Sequence, residues 1–192
     1  LILLIRQHDV VIDFSVPEAV PRNVELCVRA GVPLVEGTTG WKDHLAQVES
    51  LVNKHSGALV YGANFSIGVN LFYRVVENAA KLLASVSSYE PFIEEAHHAR
   101  KRDAPSGTAL VLQGLVENHF DLEIPPASTR AGHIPGTHRV GFDSPADQVL
   151  LTHTARSRAG FASGALLAAR WVPGHVGVYE FGAALNELLD KD

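Results

Sequence analysis

The chain contains no methionine and a single cysteine, Cys27. One thiol can build neither an internal disulfide nor a multi-cysteine metal site, which fits a reducing compartment such as the cytoplasm. No apolar run approaches the roughly 20 residues that a bilayer-crossing helix needs. No segment has the order of a cleaved signal peptide, so no membrane partner is expected. Positive charge is also scarce: 16 Lys and Arg against 21 Asp and Glu leave a formal net charge of -5, which argues against a general nucleic-acid footprint. The absence of an initiator, with the apolar opening Leu1-Ile2-Leu3-Leu4-Ile5, creates the expectation of a fragment or of residues left out.

What is present is ordinary for a packed domain. Hydrophobic residues make up 46% and charged residues 19% of 192 positions, enough apolar surface for a core and too little charge for disorder. Val10–Phe14 reads as a buried strand. Pro17 suits the first turn of a helix carrying Val20, Val24, Cys27 and Val28 on one face and ended by Gly31. Val32–Glu36 reads as a second strand, Asp43 as the cap of a helix to about His55, and Ala58–Tyr61 as a third strand. Alternating strands and helices of this kind form a parallel sheet covered on both faces. Ligands bind such sheets at the carboxyl ends of the strands. Here those ends carry Asp13-Phe14-Ser15, Gly37-Thr38-Thr39-Gly40 and Gly62-Ala63-Asn64-Phe65-Ser66. Further along, the pattern predicts a long helix from Ile67 to about Ala84 and a strand near Tyr89–Ala96. A helix from about Pro105 to Phe120 and a loop over Asp121–Arg139 follow. Strands at Val140–Phe142 and Gln148–Thr154 and helices at Ala159–Trp171 and Glu180–Leu189 complete the reading.

Chemistry concentrates in Glu94-Glu95-Ala96-His97-His98-Ala99-Arg100-Lys101-Arg102-Asp103-Ala104-Pro105-Ser106-Gly107-Thr108-Ala109. Two histidines and a lysine can supply protons near neutral pH. Pro-Ser-Gly-Thr at a helix start offers backbone N–H groups and the helix dipole to an anion. Ser106 or Thr108 reads equally well as a plain helix cap. Arg100-Lys101-Arg102 and Arg156-Ser157-Arg158 fit a small anion, though a solvated basic face is the simpler account. No H-E-x-x-H spacing exists, and His133, His138 and His153 are scattered, so no metal is expected. The chain lacks a G-x-S-x-G elbow, which disfavours a serine hydrolase.

Glu95-Ala96-His97-His98 followed by Lys101-Arg102-Asp103-Ala104-Pro105-Ser106-Gly107-Thr108-Ala109 resembles the signature of the dihydrodipicolinate reductase family. The resemblance extends in order through Val11–Ser15, Gly37–Gly40, Ala63–Asn70, and Thr152-His153 with Ala155–Arg158. It implies a Rossmann-type nucleotide domain at 1–65 and 158–192, and an α+β domain with a mixed sheet at 66–157 for substrate binding and oligomerisation. It implies reduction of 4-hydroxy-tetrahydrodipicolinate, a small dicarboxylate, with NADH or NADPH in diaminopimelate and lysine biosynthesis. His97 and Lys101 would be the catalytic pair. His98, Ser106, Gly107 and Thr108 would hold substrate carboxylates. Gly37, Thr38, Thr39, Gly62, Ala63, Asn64 and Phe65 would meet the nicotinamide side of the cofactor. The resemblance also implies a homo-oligomer, usually a tetramer.

The sequence departs from that pattern in two places. The G-x-G-x-x-G loop after a first strand, which holds the cofactor pyrophosphate, does not occur. Leu1–Ile5 reads either as that first strand or as the tail of an upstream helix. Taken as the whole chain, the sequence would bind cofactor weakly, and the alternative reading is a catalytically impaired binding or regulatory relative. Arg130-Ala131-Gly132-His133-Ile134 also runs quickly into Gly136-Thr137-His138, which predicts a shortened strand or hairpin in the second domain.

Overall fold

The computed structural model describes residues 1–189. In chain order the elements are α1 (Ile2–Ile5), β1 (Val11–Asp13), α2 (Val20–Ala30), β2 (Leu34–Glu36), α3 (Leu45–Lys54), β3 (Ala58–Tyr61) and α4 (Ile67–Leu83). There follow β4 (Glu90–His97), α5 (Gly107–Glu117), β5 (Ala127–Arg130), β6 (Thr137–Asp143), β7 (Gln148–Thr154), α6 (Ala159–Trp171), β8 (Gly177–Glu180) and α7 (Phe181–Leu189). They divide into two compact units, Leu1–Ile67 with the chain from Phe161 onward, and Gly68–Gly160.

The first unit is a Rossmann-type layer. Its four strands are all parallel, in the order β1-β2-β3-β8. Alternation along the strands sends Leu34 and Leu59 to one face, where they pack with Val20, Val24, Cys27, Val28, Val48 and Val52 from α2 and α3. Val35 and Val60 face the other way, onto Ala165, Ala168 and Ala169 of α6 and Ala184 and Leu185 of α7. Each buried valine or leucine contributes about 1.5–3 kcal/mol by leaving water. Gly31 closes α2 as expected, at φ +73°, a left-handed conformation that glycine adopts without a Cβ penalty. Pro17 opens a separate 3-10 turn, Pro17–Ala19, and Pro21 takes the first turn of α2.

Several local expectations are corrected. β1 is an edge strand and not a buried one, with Ile12 40% exposed. Asp43 does not cap α3: it lies inside a 3-10 turn, Lys42–His44, and His44 precedes the helix with no side-chain cap bond. Leu1–Ile5 adopts the helical alternative and not the strand. β8, Gly177–Glu180, is not predicted by the local pattern; its strand form comes from parallel pairing with β3.

The second unit lays α4 and α5 on a mixed sheet ordered β5-β4-β6-β7. β4 pairs parallel with β5 and antiparallel with β6, and β6 pairs antiparallel with β7. Burial alternates along β4, so Ile93, Glu95 and His97 share its inner face. Phe72, Val76, Leu112, Val116, Val140 and Phe142 close the core around Ile93. The stretch Asp121–Arg139 is not all loop. It contains β5 and the start of β6, and these do not form a hairpin, since β5 pairs with β4.

Candidate active site

The register of the second sheet builds the site in rows. Glu95 on β4 is flanked by Ser128 on β5 and His138 on β6, and His138 by His153 on β7. One step along, His97 lies beside Arg130. The row nearest the core is apolar, with Ile93 opposite Val140 and Val140 opposite Leu151. The inner face thus changes from hydrocarbon to titratable groups towards the end of β4.

Glu95 is the hub. Its Oε1 accepts from the backbone N–H of Ser106 at 3.1 Å, Ser128 Oγ at 2.7 Å and Arg130 Nη2 at 2.6 Å. Its Oε2 lies 2.8 Å from His97 Nδ1 and 3.8 Å from His138 Nε2. Burial pushes this carboxyl up, but the hydrogen bonds from Ser106, Ser128 and Arg130 outweigh it and hold the group at about 2. Burial lowers His97, with Glu95 opposing and Lys101 adding to the effect. Burial, helped by the neighbouring His97, brings His138 down to about 4. Both imidazoles are therefore neutral near pH 7, beside an ionised carboxylate.

The anion cradle adjoins this hub. Ser106 is the N-cap of α5, its Oγ accepting from Ala109 N at 3.2 Å and lying 3.1 Å from His138 Nε2. The cap reading of Ser106 is realised, and the residue is buried. Gly107 is exposed, with open space where a side chain would stand. Thr108 shares a side-chain hydrogen bond with Tyr73 of α4. His98 sits just past the end of β4 and is half-buried. Lys101 follows in the turn, its Nζ 2.9 Å from Asp103 Oδ2. This unit therefore brings His97, Ser106 and the start of α5 together around Glu95, with Lys101 and His98 in the turn that leaves β4.

In the first unit, Gly37, Thr38 and Thr39 line a cavity of about 320 Å³ with Phe14, Ser15 and Pro17, at the carboxyl ends of β1 and β2. Thr38 Oγ1 accepts from Ser15 N at 3.0 Å, and Thr38 N donates to Glu36 Oε1 at 2.8 Å. A Cβ on Gly37 would drive into the Phe14 ring. Gly62, Ala63, Asn64 and Phe65 follow β3, with Phe65 buried against Phe181. A small planar ring with hydrogen-bonding edges fits such a glycine- and threonine-lined recess.

Arg130 and Glu36 carry no role in the sequence expectation; Glu95 enters it only as part of the signature, and His138 only as one of three scattered histidines. The Glu95-x-His97 spacing, two residues on one strand face, was the available signal for Glu95. The others needed the cross-strand register. Glu95, His97 and His138 also place three potential metal-ligand atoms within 4.8 Å of one another. The guanidinium of Arg130 on the same carboxylate already supplies the cation that a metal would bring.

Residues 2–65 match the family described as "Dihydrodipicolinate reductase, N-terminus", and residues 68–185 match "Dihydrodipicolinate reductase, C-terminus". The chain belongs to the dihydrodipicolinate reductase family. It is 39% identical over 193 residues to the 4-hydroxy-tetrahydrodipicolinate reductase of Christiangramia forsetii, covering 94% of this chain and 81% of that protein. It is 36% identical over 203 residues to the enzyme of the same name from Neisseria meningitidis serogroup B, covering 95% and 74%. Among solved structures, the dipicolinate-bound dihydrodipicolinate reductase from Paenisporosarcina sp. TG-14 superposes with a TM-score of 0.76 at 25% identity, covering 91% of this chain and 72% of that one. The parallel sheet followed by a mixed sheet is thus the architecture of this reductase family, and the family's two halves meet in sequence between Phe65 and Gly68.

Proposed function

We propose that the chain reduces 4-hydroxy-tetrahydrodipicolinate to tetrahydrodipicolinate with NADH or NADPH, serving diaminopimelate and lysine synthesis in the cytoplasm. What supports this reading is the grouping of His97, Ser106 and the start of α5 at one buried Glu95, with Lys101 in the turn that leaves β4. The substrate is a small dicarboxylate. Carboxylates suit the exposed N-terminus of α5 at Gly107 and Thr108, where N–H groups and the helix dipole favour negative charge. His98, and Ser106 through its place at the cap, complete that pocket. The Paenisporosarcina relative binds dipicolinate, a ligand of the same dicarboxylate class.

The nicotinamide, when bound, supplies the hydride. Gly37, Thr38, Thr39 and Gly62–Phe65 would orient its ring at the strand ends of the first unit, which makes residues 1–65 and 158–192 the dinucleotide domain. Residues 66–157 would hold substrate and, through the open sheet, assemble the homo-oligomer, a tetramer in this reading. Loss of the 4-hydroxyl as water gives a conjugated imine, and hydride addition to that imine leaves negative charge on the substrate. Lys101, its Nζ 2.9 Å from Asp103 Oδ2, would quench it with a proton, and His97 would assist.

The test is the loss of NAD(P)H absorbance with freshly generated synthase product. Turnover with at least one dinucleotide, abolished in Lys101→Ala while the variant remains folded, is expected. No turnover with either dinucleotide at saturation overturns the assignment.

A further inference from the structure

Glu95 is two residues before His97 on the same face of β4. Ser106, Ser128 and Arg130 all donate to its Oε1, and His97 Nδ1 is the nearest of the two imidazole nitrogens that face Oε2. An ionised carboxylate only accepts hydrogen bonds. Nδ1 lies 2.8 Å from Oε2 without the alignment of a hydrogen bond; at that distance a carboxylate oxygen repels a bare nitrogen lone pair and attracts an N–H. A neutral imidazole has a single N–H, so its other nitrogen then holds a lone pair. That nitrogen, Nε2, lies beside Gly136, where a Cβ would stand 3.2 Å away. Gly136 has φ +140°, which favours glycine and keeps that side of the ring uncrowded.

We propose that Glu95 is a positioning residue that fixes His97 in the Nδ1–H tautomer, so that Nε2 is a proton acceptor in the resting enzyme. The catalytic consequence rests on the reductase reading above. It divides the work between the two family residues. Neutral His97 has no proton on Nε2 to give; it receives a hydrogen bond there, from the Lys101 ammonium or from the substrate. Lys101 is left as the donor: its Nζ–H bond breaks as the bond to the reduced substrate forms, and the amine regains its proton from water. The positive charges near His97 are Arg130 and Lys101, with Asp103 of opposite sign beside them. Any proton that reaches Nε2 is stabilised across the ring by Glu95.

Glu95→Gln separates this role from mere packing. The donors at the Oε1 position would hold the amide oxygen there, which turns the amide NH2 toward His97. Nδ1 must then accept, and the tautomer inverts to Nε2–H. The experiment is imidazole ¹⁵N–¹H correlation spectroscopy on the labelled chain near pH 7, with the His97 signals assigned by their loss in His97→Asn. Wild type is expected to show a protonated Nδ1 and a bare Nε2, and Glu95→Gln the reverse. In the NAD(P)H assay the variant is expected to lose on the order of 100-fold in kcat, with KM little changed. A bare Nδ1 in the wild type overturns the proposal without need of a variant. An unchanged tautomer in folded Glu95→Gln, or full kcat with an inverted one, does so too. A wild type with the expected tautomer but no turnover supports the role of Glu95 and counts against the reductase reading alone.

Discussion

Asp13 and Glu36 are direct partners across the parallel pair β1–β2, each at the last residue of its strand and immediately below the loops that line the first unit's cavity. The charge of Asp13 disfavours the ionised form of Glu36. Asp13 Oδ2 takes a hydrogen bond from Asn23 at 2.7 Å. Glu36 is fully buried, and burial, more than Asp13, pushes it up to about 7.

Glu36 therefore holds a proton that the unfolded chain releases near its ordinary value of 4.5. Between that value and about 7 the native state binds more protons than the unfolded state, so the stability of the first unit falls as pH rises. The loss across this window is on the order of 3 kcal/mol. Both tryptophans, Trp41 and Trp171, lie in this unit. Denaturant titrations followed by tryptophan fluorescence from pH 4.5 to 7.5 are expected to show the fall in the wild type and a flatter profile in Glu36→Gln.

Arg130→Ala removes the cation from a buried carboxylate. An uncompensated buried charge costs about 3–5 kcal/mol, and the second unit should lose that much in urea unfolding followed by circular dichroism. The hydrogen bonds that depress Glu95 also give the native state stability above pH 4.5 that is lost as the pH falls through about 2. Arg130→Ala raises the native pKa of Glu95, so less stability is lost between pH 4.5 and about 2, and the gap in urea midpoint between wild type and variant should narrow as the pH falls through that window.

Ser106→Ala deletes the cap of α5 and the hydroxyl beside His138. The cap alone is worth about 1 kcal/mol. Because the N-terminus of α5 is the proposed carboxylate cradle, the expected kinetic signature is a raised KM for substrate with a smaller change in kcat, measured by initial rates.

Gly164→Ala tests the seat of the loop after β3. A Cβ at Gly164 would run into the backbone carbonyl of Phe65, which cannot swing aside as a side chain can. Overpacking of this kind costs about 1–3 kcal/mol. Weakened nicotinamide-dinucleotide binding, measured by fluorescence titration, should accompany the loss of stability.

Much of this arrangement was legible in the residues themselves. β3 and α6 occupy the spans their apolar patterning predicted, because each is long enough, or bounded sharply enough, for local chemistry to decide. Asp43 misled because a capping residue type is common wherever a turn precedes a helix, and the 3-10 turn had taken its place. β5 escaped notice because Ala127–Arg130 is polar and mostly exposed; its strand form comes from pairing with β4. The site divides the same way. His97, Lys101 and the start of α5 stood together in one motif. Arg130 and His138 are 33 and 41 residues beyond His97 (130 - 97 and 138 - 97) and join Glu95 only through sheet register.

β8 pairs with β3 across the entire length of the second unit. During synthesis the edge of β3 emerges from the ribosome long before residues 177–180 exist to cover it, while Gly68–Gly160 is already complete in sequence. The inserted unit can fold as one stretch; the surrounding unit has to wait for its last strand. An open parallel edge is a template for pairing with the wrong chain. The hazard of making this protein thus lies in the interval between β3 and β8, and slow translation through 68–176 prolongs it.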